Sequence, residues 1–212
     1  MHTEVVFILD KSGSMAGLEK DTIGGYNSIL KKQRNGEGTM NITTVLFDHE
    51  IELLHDRIPI KAVDLLSDED YVIGGMTALY DAIGYAINKI DKVQKSLKAT
   101  MQADKVLFVI TTDGMENSSK KFIASNIKVL IEDRKKLGWE FLFLGANIDV
   151  AEVAQTIGIC PEQAVEYIAD EVGTLQNFAA INEAVSSTRN GNGLNASWKE
   201  KIEKDVSNRK KQ

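Results

Sequence analysis

Cysteine is almost absent from this chain, which has only Cys160 in 212 residues. A single thiol excludes a disulfide within the chain and a zinc site built from several thiolates. We therefore expect a reducing, cytoplasmic compartment. We also expect Cys160 to be a small buried apolar residue beside Ile159 rather than a reactive thiol.

Long apolar runs and a basic excess are missing as well. No stretch approaches the 18 consecutive apolar residues of a membrane-spanning helix, and no signal peptide precedes the first apolar run, so we expect no membrane segment. The 25 basic residues are outnumbered by 31 acidic ones, for a net charge of −6. Binding to nucleic acid needs a basic face and is therefore disfavoured.

Segments typical of strands and helices alternate along the chain. Continuous apolar runs predict buried strands, and apolar residues at 3.6-residue spacing predict helices. The predicted strands are 4–9, 41–47, 51–54, 105–111, 139–144 and 165–168, and the predicted helices are 20–34, 78–98, 119–137, 149–157 and 171–187. This alternation predicts a Rossmann-like, doubly wound α/β/α sandwich of about six strands, mostly parallel with one antiparallel edge strand.

The division into domains follows from the same pattern. Residues 1–188 form one predicted unit without internal repeats, and residues 189–212 are a predicted linker and basic C-terminal tail. The tail is lysine-rich and has a weak helical stripe formed by Trp198, Ile202 and Val206. We expect this terminal helix to be solvated or frayed.

The most informative motif is Asp10-Lys11-Ser12-Gly13-Ser14, which directly follows the first predicted strand. Its D-x-S-x-S pattern is expected by chance roughly 0.05 times in a chain of this composition. Thr77 precedes a predicted helix and Asp113 follows another buried strand. Taken singly, Thr77 is better explained as a helix cap, and Asp113 equally well as a turn residue before Gly114. Their joint position at strand ends, which meet at one edge of a parallel sheet, favours a shared site.

These residues resemble the metal-ion-dependent adhesion site of von Willebrand factor type A domains. The matching elements are Asp10-Lys-Ser12-Gly-Ser14, Gly75-Met-Thr77 and Thr112-Asp113-Gly114, and the resemblance covers residues 3–187. It is closer to stand-alone prokaryotic or phage domains than to extracellular adhesion modules. The resemblance implies that Ser12, Ser14 and Thr77 contact a metal ion, while Asp10 and Asp113 act largely through bound water. It also implies that the last helix, 171–187, can shift when a partner binds.

Oxygen donors of this kind suit a hard cation, Mg²⁺ first, with Mn²⁺ or Ca²⁺ as alternatives. If the direct ligands are hydroxyls, the ion stays electrophilic and keeps one coordination position open. A carboxylate from a partner protein is the natural occupant of that position. The leading prediction is therefore a metal-dependent protein-binding module without catalysis.

Two other functions remain open from the sequence. One is a metal-dependent phosphoester hydrolase that uses Asp10, Asp113 and Glu116, with Glu116 as the general base. The more expected role of Glu116 is an exposed acid that sets metal affinity or caps helix 119–137. His49 and His55 flank the edge hairpin, away from the predicted crevice. The other is a subunit of a larger assembly whose metal site is vestigial.

Lys11 is expected to point to solvent, or else to help select an acidic ligand.

Overall fold

A six-stranded sheet lies at the centre of the protein in a computed structural model that describes residues 1–194 and 196–210. Its strands are β1 (His2–Asp10), β2 (Thr39–Phe47), β3 (Ile51–Pro59), β4 (Lys105–Thr112), β5 (Glu140–Gly145) and β6 (Ala164–Glu166). Their order across the sheet is β3-β2-β1-β4-β5-β6. Only the β2–β3 pair at one edge is antiparallel.

In the part of the chain that the structure describes, six α-helices connect or cover these strands. They are α1 (Glu19–Gln33), α2 (Leu79–Ser96), α3 (Ala124–Lys135), α4 (Val150–Thr156), α5 (Glu171–Arg189) and α6 (Glu200–Arg209). In the described residues, no helix has both the length and the apolar character needed to cross a membrane.

Alternating side chains of β1 build two separate apolar layers. Val5, Phe7 and Leu9 pack with α1, α5 and α6 on one face, where the Phe7 and Tyr26 rings lie edge to face at 5.1 Å. Val6 and Ile8 pack with α2, α3 and α4 on the other face. Because both faces are covered, β1 is buried along nearly its whole length. The expected Rossmann-like, doubly wound architecture with one antiparallel edge strand is confirmed.

The predicted helix 119–137 begins five residues later than expected, at Ala124. Residues 119–123 are irregular rather than helical, and side-chain groups satisfy their backbone N–H groups. Asp81 accepts hydrogen bonds of 2.8–2.9 Å from the backbone N–H groups of Lys120, Lys121 and Phe122. Helix propensity is overridden by these contacts to α2.

Two expectations about the C-terminal part are wrong. Cys160 is exposed, because its neighbour Ile159 occupies the buried position, and its Sγ lies 3.0 Å from the Lys135 amino group. The tail helix α6 is docked rather than solvated. Trp198 is 5% exposed and Ile202 is 1% exposed, since their stripe faces the sheet.

Candidate metal-binding site

The site is centred on Asp10, the last residue of β1 and 1% exposed. Its Oδ1 accepts the Ser12 backbone N–H at 2.7 Å, and its Oδ2 accepts the Thr112 hydroxyl at 2.6 Å. The backbone carbonyl of Asp10 accepts a hydrogen bond from the buried Tyr71 hydroxyl. Both carboxylate oxygens of Asp10 are thus engaged in hydrogen bonds to neighbouring groups.

Three hydroxyl groups meet beside Asp10, and we call Ser12, Ser14 and Thr77 the hydroxyl triad. The Oγ atoms of Ser12 and Ser14 are 3.1 Å apart. Thr77 Oγ1 lies 3.0 Å from Ser12 Oγ, although the two residues are 65 positions apart in the sequence. The fold therefore brings together the three residues that the family resemblance implied as direct metal ligands.

Backbone hydrogen bonds hold the loops that carry the hydroxyl triad. Gly13 N–H donates to the Gly75 carbonyl at 3.2 Å, and Gly74 N–H donates to the Lys11 carbonyl at 2.9 Å. Gly75 has a φ of +68°, and a Cβ there would lie 2.1 Å from His49 Nδ1, so only glycine fits. These contacts fix the approach of the loop to Thr77.

Asp113 is positioned from the neighbouring strand. It is 3% exposed, and its Oδ1 accepts a hydrogen bond from the Asn147 side-chain amide. Asn147 follows β5 in a left-handed conformation, with a φ of 56°. Asn117 acts similarly on Thr77, since its Oδ1 accepts the Thr77 backbone N–H at 2.9 Å.

Sequence reasoning missed Tyr71, Asn117 and Asn147 as residues that support the site. Asn147 did leave a signal, because it is a polar residue just after a buried strand at the edge that carries Asp113. Tyr71 left none, since it lies in an irregular segment whose path depends on tertiary packing.

The two carboxyl groups of the site, Asp10 and Asp113, both have shifted pKa values. Burial raises the pKa of Asp10, although hydrogen bonds from Ser12 and Thr112 oppose the shift. Burial also raises the pKa of Asp113, the nearby charge of Asp10 adds to this effect, and the bond from Asn147 opposes it. A divalent cation at the site would stabilise both ionised forms.

Lys11 does not provide that positive charge, and it does not point freely into solvent. Its amino group lies 2.6 Å from Glu52 on β3, and its side chain is only 14% exposed. The expectation of a solvent-facing lysine is therefore wrong, because the edge strand offers a carboxylate within reach.

Glu116 is a capping residue rather than a free base. Its Oε1 accepts the backbone N–H groups of Ser118 and Ser119 at 2.9 and 2.8 Å. Its Oε2 accepts the Tyr80 N–H at 3.0 Å and the Ser119 hydroxyl at 2.8 Å. The cap lies on the first turn of α2 rather than on the helix that follows Glu116.

His49, expected far from the crevice, lies against Gly75 because the β2–β3 turn folds over that loop.

The donor set fits a small hard cation. Within the chain segments that the structure describes, no three His, Cys, Asp or Glu residues cluster as a metal site. The oxygens that meet here are the three side-chain hydroxyls. A Cβ at Gly114 would lie 2.8 Å from Ser14 Oγ and 3.1 Å from Thr77 Oγ1. The space over the hydroxyl triad is open because residue 114 has no side chain.

Solved structures with a similar fold include proximal thread matrix protein 1 from the mussel byssus, at 14% identity and a TM-score of 0.61, with 87% of this chain and 46% of that chain covered. A further structure of the mussel protein has a zinc-occupied MIDAS motif, the metal-ion-dependent adhesion site. The PilB minor pilin from Streptococcus sanguinis has 14% identity and a TM-score of 0.60, with 89% and 62% covered. The von Willebrand factor domain of the pili tip protein Mfa5 from Porphyromonas gingivalis has 12% identity and a TM-score of 0.57, with 86% and 94% covered. The chain spans about half the length of the mussel protein, and at these identities the likeness shows the fold alone.

A search of curated proteins finds no significant match. The family model of the von Willebrand factor type A domain matches residues 4–182, which include every residue of the candidate site. The resemblance noted from the sequence is thereby confirmed, and the chain belongs to the von Willebrand factor type A domain family.

Proposed function

We propose that this protein binds one divalent cation at the hydroxyl triad and uses it to hold an acidic side chain of a partner protein. The observation that carries the proposal is that Ser12 Oγ lies 3.1 Å from Ser14 Oγ and 3.0 Å from Thr77 Oγ1, beside two buried carboxylates. Mg²⁺ is the first candidate, with Mn²⁺ or Ca²⁺ as alternatives. The zinc in the mussel protein makes Zn²⁺ a fourth ion to compare.

In this proposal the residues of the site have two kinds of role, as direct ligands or as groups one shell further out. The hydroxyls of the triad would be direct ligands, and Asp10 and Asp113 would orient water and supply negative charge from one shell further out. Thr112 and Asn147 hold these two carboxylates in place. When bound, the cation supplies a strong electrostatic contact for an anionic group.

A carboxylate is the ligand that this arrangement favours. Uncharged hydroxyl ligands leave the positive charge of the ion largely unneutralised, and a carboxylate gains a strong contact with it in a partly desolvated crevice. The opening over Gly114 gives such a group access to the site. We propose that the partner is a protein that offers an Asp or Glu side chain.

Hydrolysis is the weaker alternative, and we propose that the protein is not an enzyme. A general base must reach the water that it activates. Both oxygens of Glu116 accept hydrogen bonds from α2 and from its own loop, so Glu116 is engaged in capping. We also propose a cytoplasmic location, which suits the exposed free thiol of Cys160.

Removing two of the three triad hydroxyls is expected to weaken metal binding and, with it, the binding of a carboxylate at the metal. In wild-type protein, Mn²⁺ should bind and enhance the relaxation of water protons, and glutarate should lower that enhancement by displacing a metal-bound water. The Ser12→Ala/Ser14→Ala double variant should bind Mn²⁺ at least about tenfold more weakly, because two direct ligands are lost. Proton relaxation titrations measure both effects.

Ser28→Ala is the matched control, since Ser28 is an exposed serine on α1 outside the site. It should bind Mn²⁺ and glutarate as the wild type does. Mn²⁺ binding without any response to glutarate would contradict the open coordination position. Equal Mn²⁺ affinity in the double variant would contradict the hydroxyl triad as the metal site. It would favour the alternative in which the metal site is vestigial.

A further inference from the structure

The C-terminal helix α6 lies beyond the region that matches the family, yet it is built into the core. The family match ends at residue 182, and α6 spans Glu200–Arg209. The Trp198 and Ile202 side chains join the apolar cluster that contains Val165 of β6. Trp198 Nε1 also donates to the Glu162 carbonyl at 3.0 Å. These contacts dock α6 against the last strand of the sheet.

The end of α6 reaches the N-terminus of α5. Arg209 forms an ion pair with Asp170 through Nη1, and its Nε donates to Asp205 Oδ1 at 2.9 Å. The next residue, Lys210, pairs separately with Glu166 of β6 at 2.7 Å. Arg209 is therefore the residue of α6 that contacts the α5 N-cap.

Asp170 links that contact to the metal site. Its Oδ1 accepts the Gly173 backbone N–H at 2.8 Å, so it caps α5, while its Oδ2 receives Arg209. A Cβ at Gly173 would lie 2.0 Å from the Ile168 carbonyl oxygen, so the first turn of α5 packs tightly on segment 167–170. Asp170 also lines the groove that contains Ser14, Asp113 and Asn147.

The other end of α5 is fixed independently. Arg189 is 5% exposed, and its guanidinium donates to the backbone carbonyls after α1, including those of Gly36 and Glu37 at 2.7 and 2.6 Å. Gln33 Nε2 further donates to Ser186 Oγ at 2.7 Å. A change at Asp170 would therefore act on the N-terminal end of α5, beside the metal site.

We infer that Arg209 is a positioning residue of the metal site, and that docking of α6 is energetically coupled to metal binding. The inference rests on the proposed metal site. Arg209 holds Asp170, and through it the wall of the groove beside Asp113. Coupling between two sites is reciprocal, so loosening α6 weakens metal binding, and bound metal strengthens the docking of α6.

The test compares Arg209→Gln with two controls, Arg209→Lys and Lys210→Gln. Arg209→Gln should weaken Mn²⁺ binding about fivefold and speed hydrogen exchange in residues 167–176. Arg209→Lys keeps the charge and should retain most of the affinity. Lys210→Gln removes only the pair with Glu166 and should leave Mn²⁺ affinity unchanged. Mn²⁺ in the wild type should slow exchange in residues 196–210.

Asp170→Asn provides a second route to the same result. Asparagine caps helices as well as aspartate does, so α5 keeps its N-cap acceptor while the charge that attracts Arg209 is lost. Because both substitutions break one contact, the Asp170→Asn/Arg209→Gln double variant should bind Mn²⁺ no more weakly than either single variant. If one single variant folds poorly, the Mn²⁺ affinity of the other single variant still tests the contact.

The outcomes separate the inference from the function on which it rests. Wild-type Mn²⁺ affinity in Arg209→Gln and Asp170→Asn would overturn the coupling and leave the metal site standing. Additive losses in the double variant would also overturn it, because the residues would then act separately. Absence of Mn²⁺ binding in the wild type would refute the proposed function, and the coupling with it.

Discussion

Replacing Gly114 with alanine is expected to weaken metal binding by about 10- to 100-fold while the protein stays folded. The added Cβ would lie 2.8 Å from Ser14 Oγ and 3.1 Å from Thr77 Oγ1, in the space that the cation and its open position require. Either the methyl group blocks the space of the ion, or the Ser14 hydroxyl rotates away and a ligand is lost. Calorimetric titration with Mg²⁺ and Mn²⁺ measures the loss.

Gly74→Ala is the matched control for this substitution. Gly74 lies in the neighbouring loop, and a Cβ there would meet no atom within 4 Å. It should retain the metal affinity of the wild type. If Gly114→Ala binds Mg²⁺ and Mn²⁺ as tightly as Gly74→Ala does, the cation does not sit over the hydroxyl triad.

Replacing Arg57 with alanine should destabilise the fold by about 3 kcal/mol at neutral pH, because it leaves a buried carboxylate unpaired. Glu4 lies on the central strand β1 with no exposed surface, and its Oε2 lies 2.9 Å from Arg57 Nε. Burial raises the pKa of Glu4 above 4.5, and Arg57 opposes that shift. Denaturant unfolding monitored by circular dichroism gives the free energy of unfolding.

The penalty in Arg57→Ala should depend on pH in a defined direction. When the pKa of a carboxyl group is raised in the folded state, the folded protein loses stability as pH rises through that pKa. It regains that stability when the group is protonated. The destabilisation should therefore shrink as pH falls toward the pKa of the unpaired Glu4. Lys89→Ala breaks the exposed pair with Asp56 and should cost less than about 1 kcal/mol at any pH. Equal, pH-independent losses in the two variants would contradict the buried pair.

Much of the fold and site could be predicted because the relevant signals are local. The apolar run of β1 is continuous because both faces of that strand are covered. Its end at Asp10 is marked by the D-x-S-x-S motif. Asp113 is distant from Asp10 in sequence, but β1 and β4 are parallel neighbours, so the loops after them lie at one edge of the sheet. Thr77 follows the antiparallel strand β3 and reaches that edge only through the long segment before α2.

The features that sequence reasoning missed depend on tertiary contacts. Tyr71 reaches the Asp10 carbonyl from an irregular segment, and no periodic pattern predicts such a contact. The late start of α3 depends on Asp81, which lies on a different helix. The stripe of α6 was visible, but its length and spacing alone do not reveal which surface it covers.

If a cation binds among the three side-chain hydroxyls, anomalous diffraction from crystals soaked in Mn²⁺ will locate it there. We expect one strong anomalous peak about 2.2 Å from the oxygens of Ser12, Ser14 and Thr77, with Asp10 and Asp113 further away. The same peak should be missing from crystals of Ser12→Ala/Ser14→Ala. A wild-type peak elsewhere, or none at saturating Mn²⁺, would contradict the account.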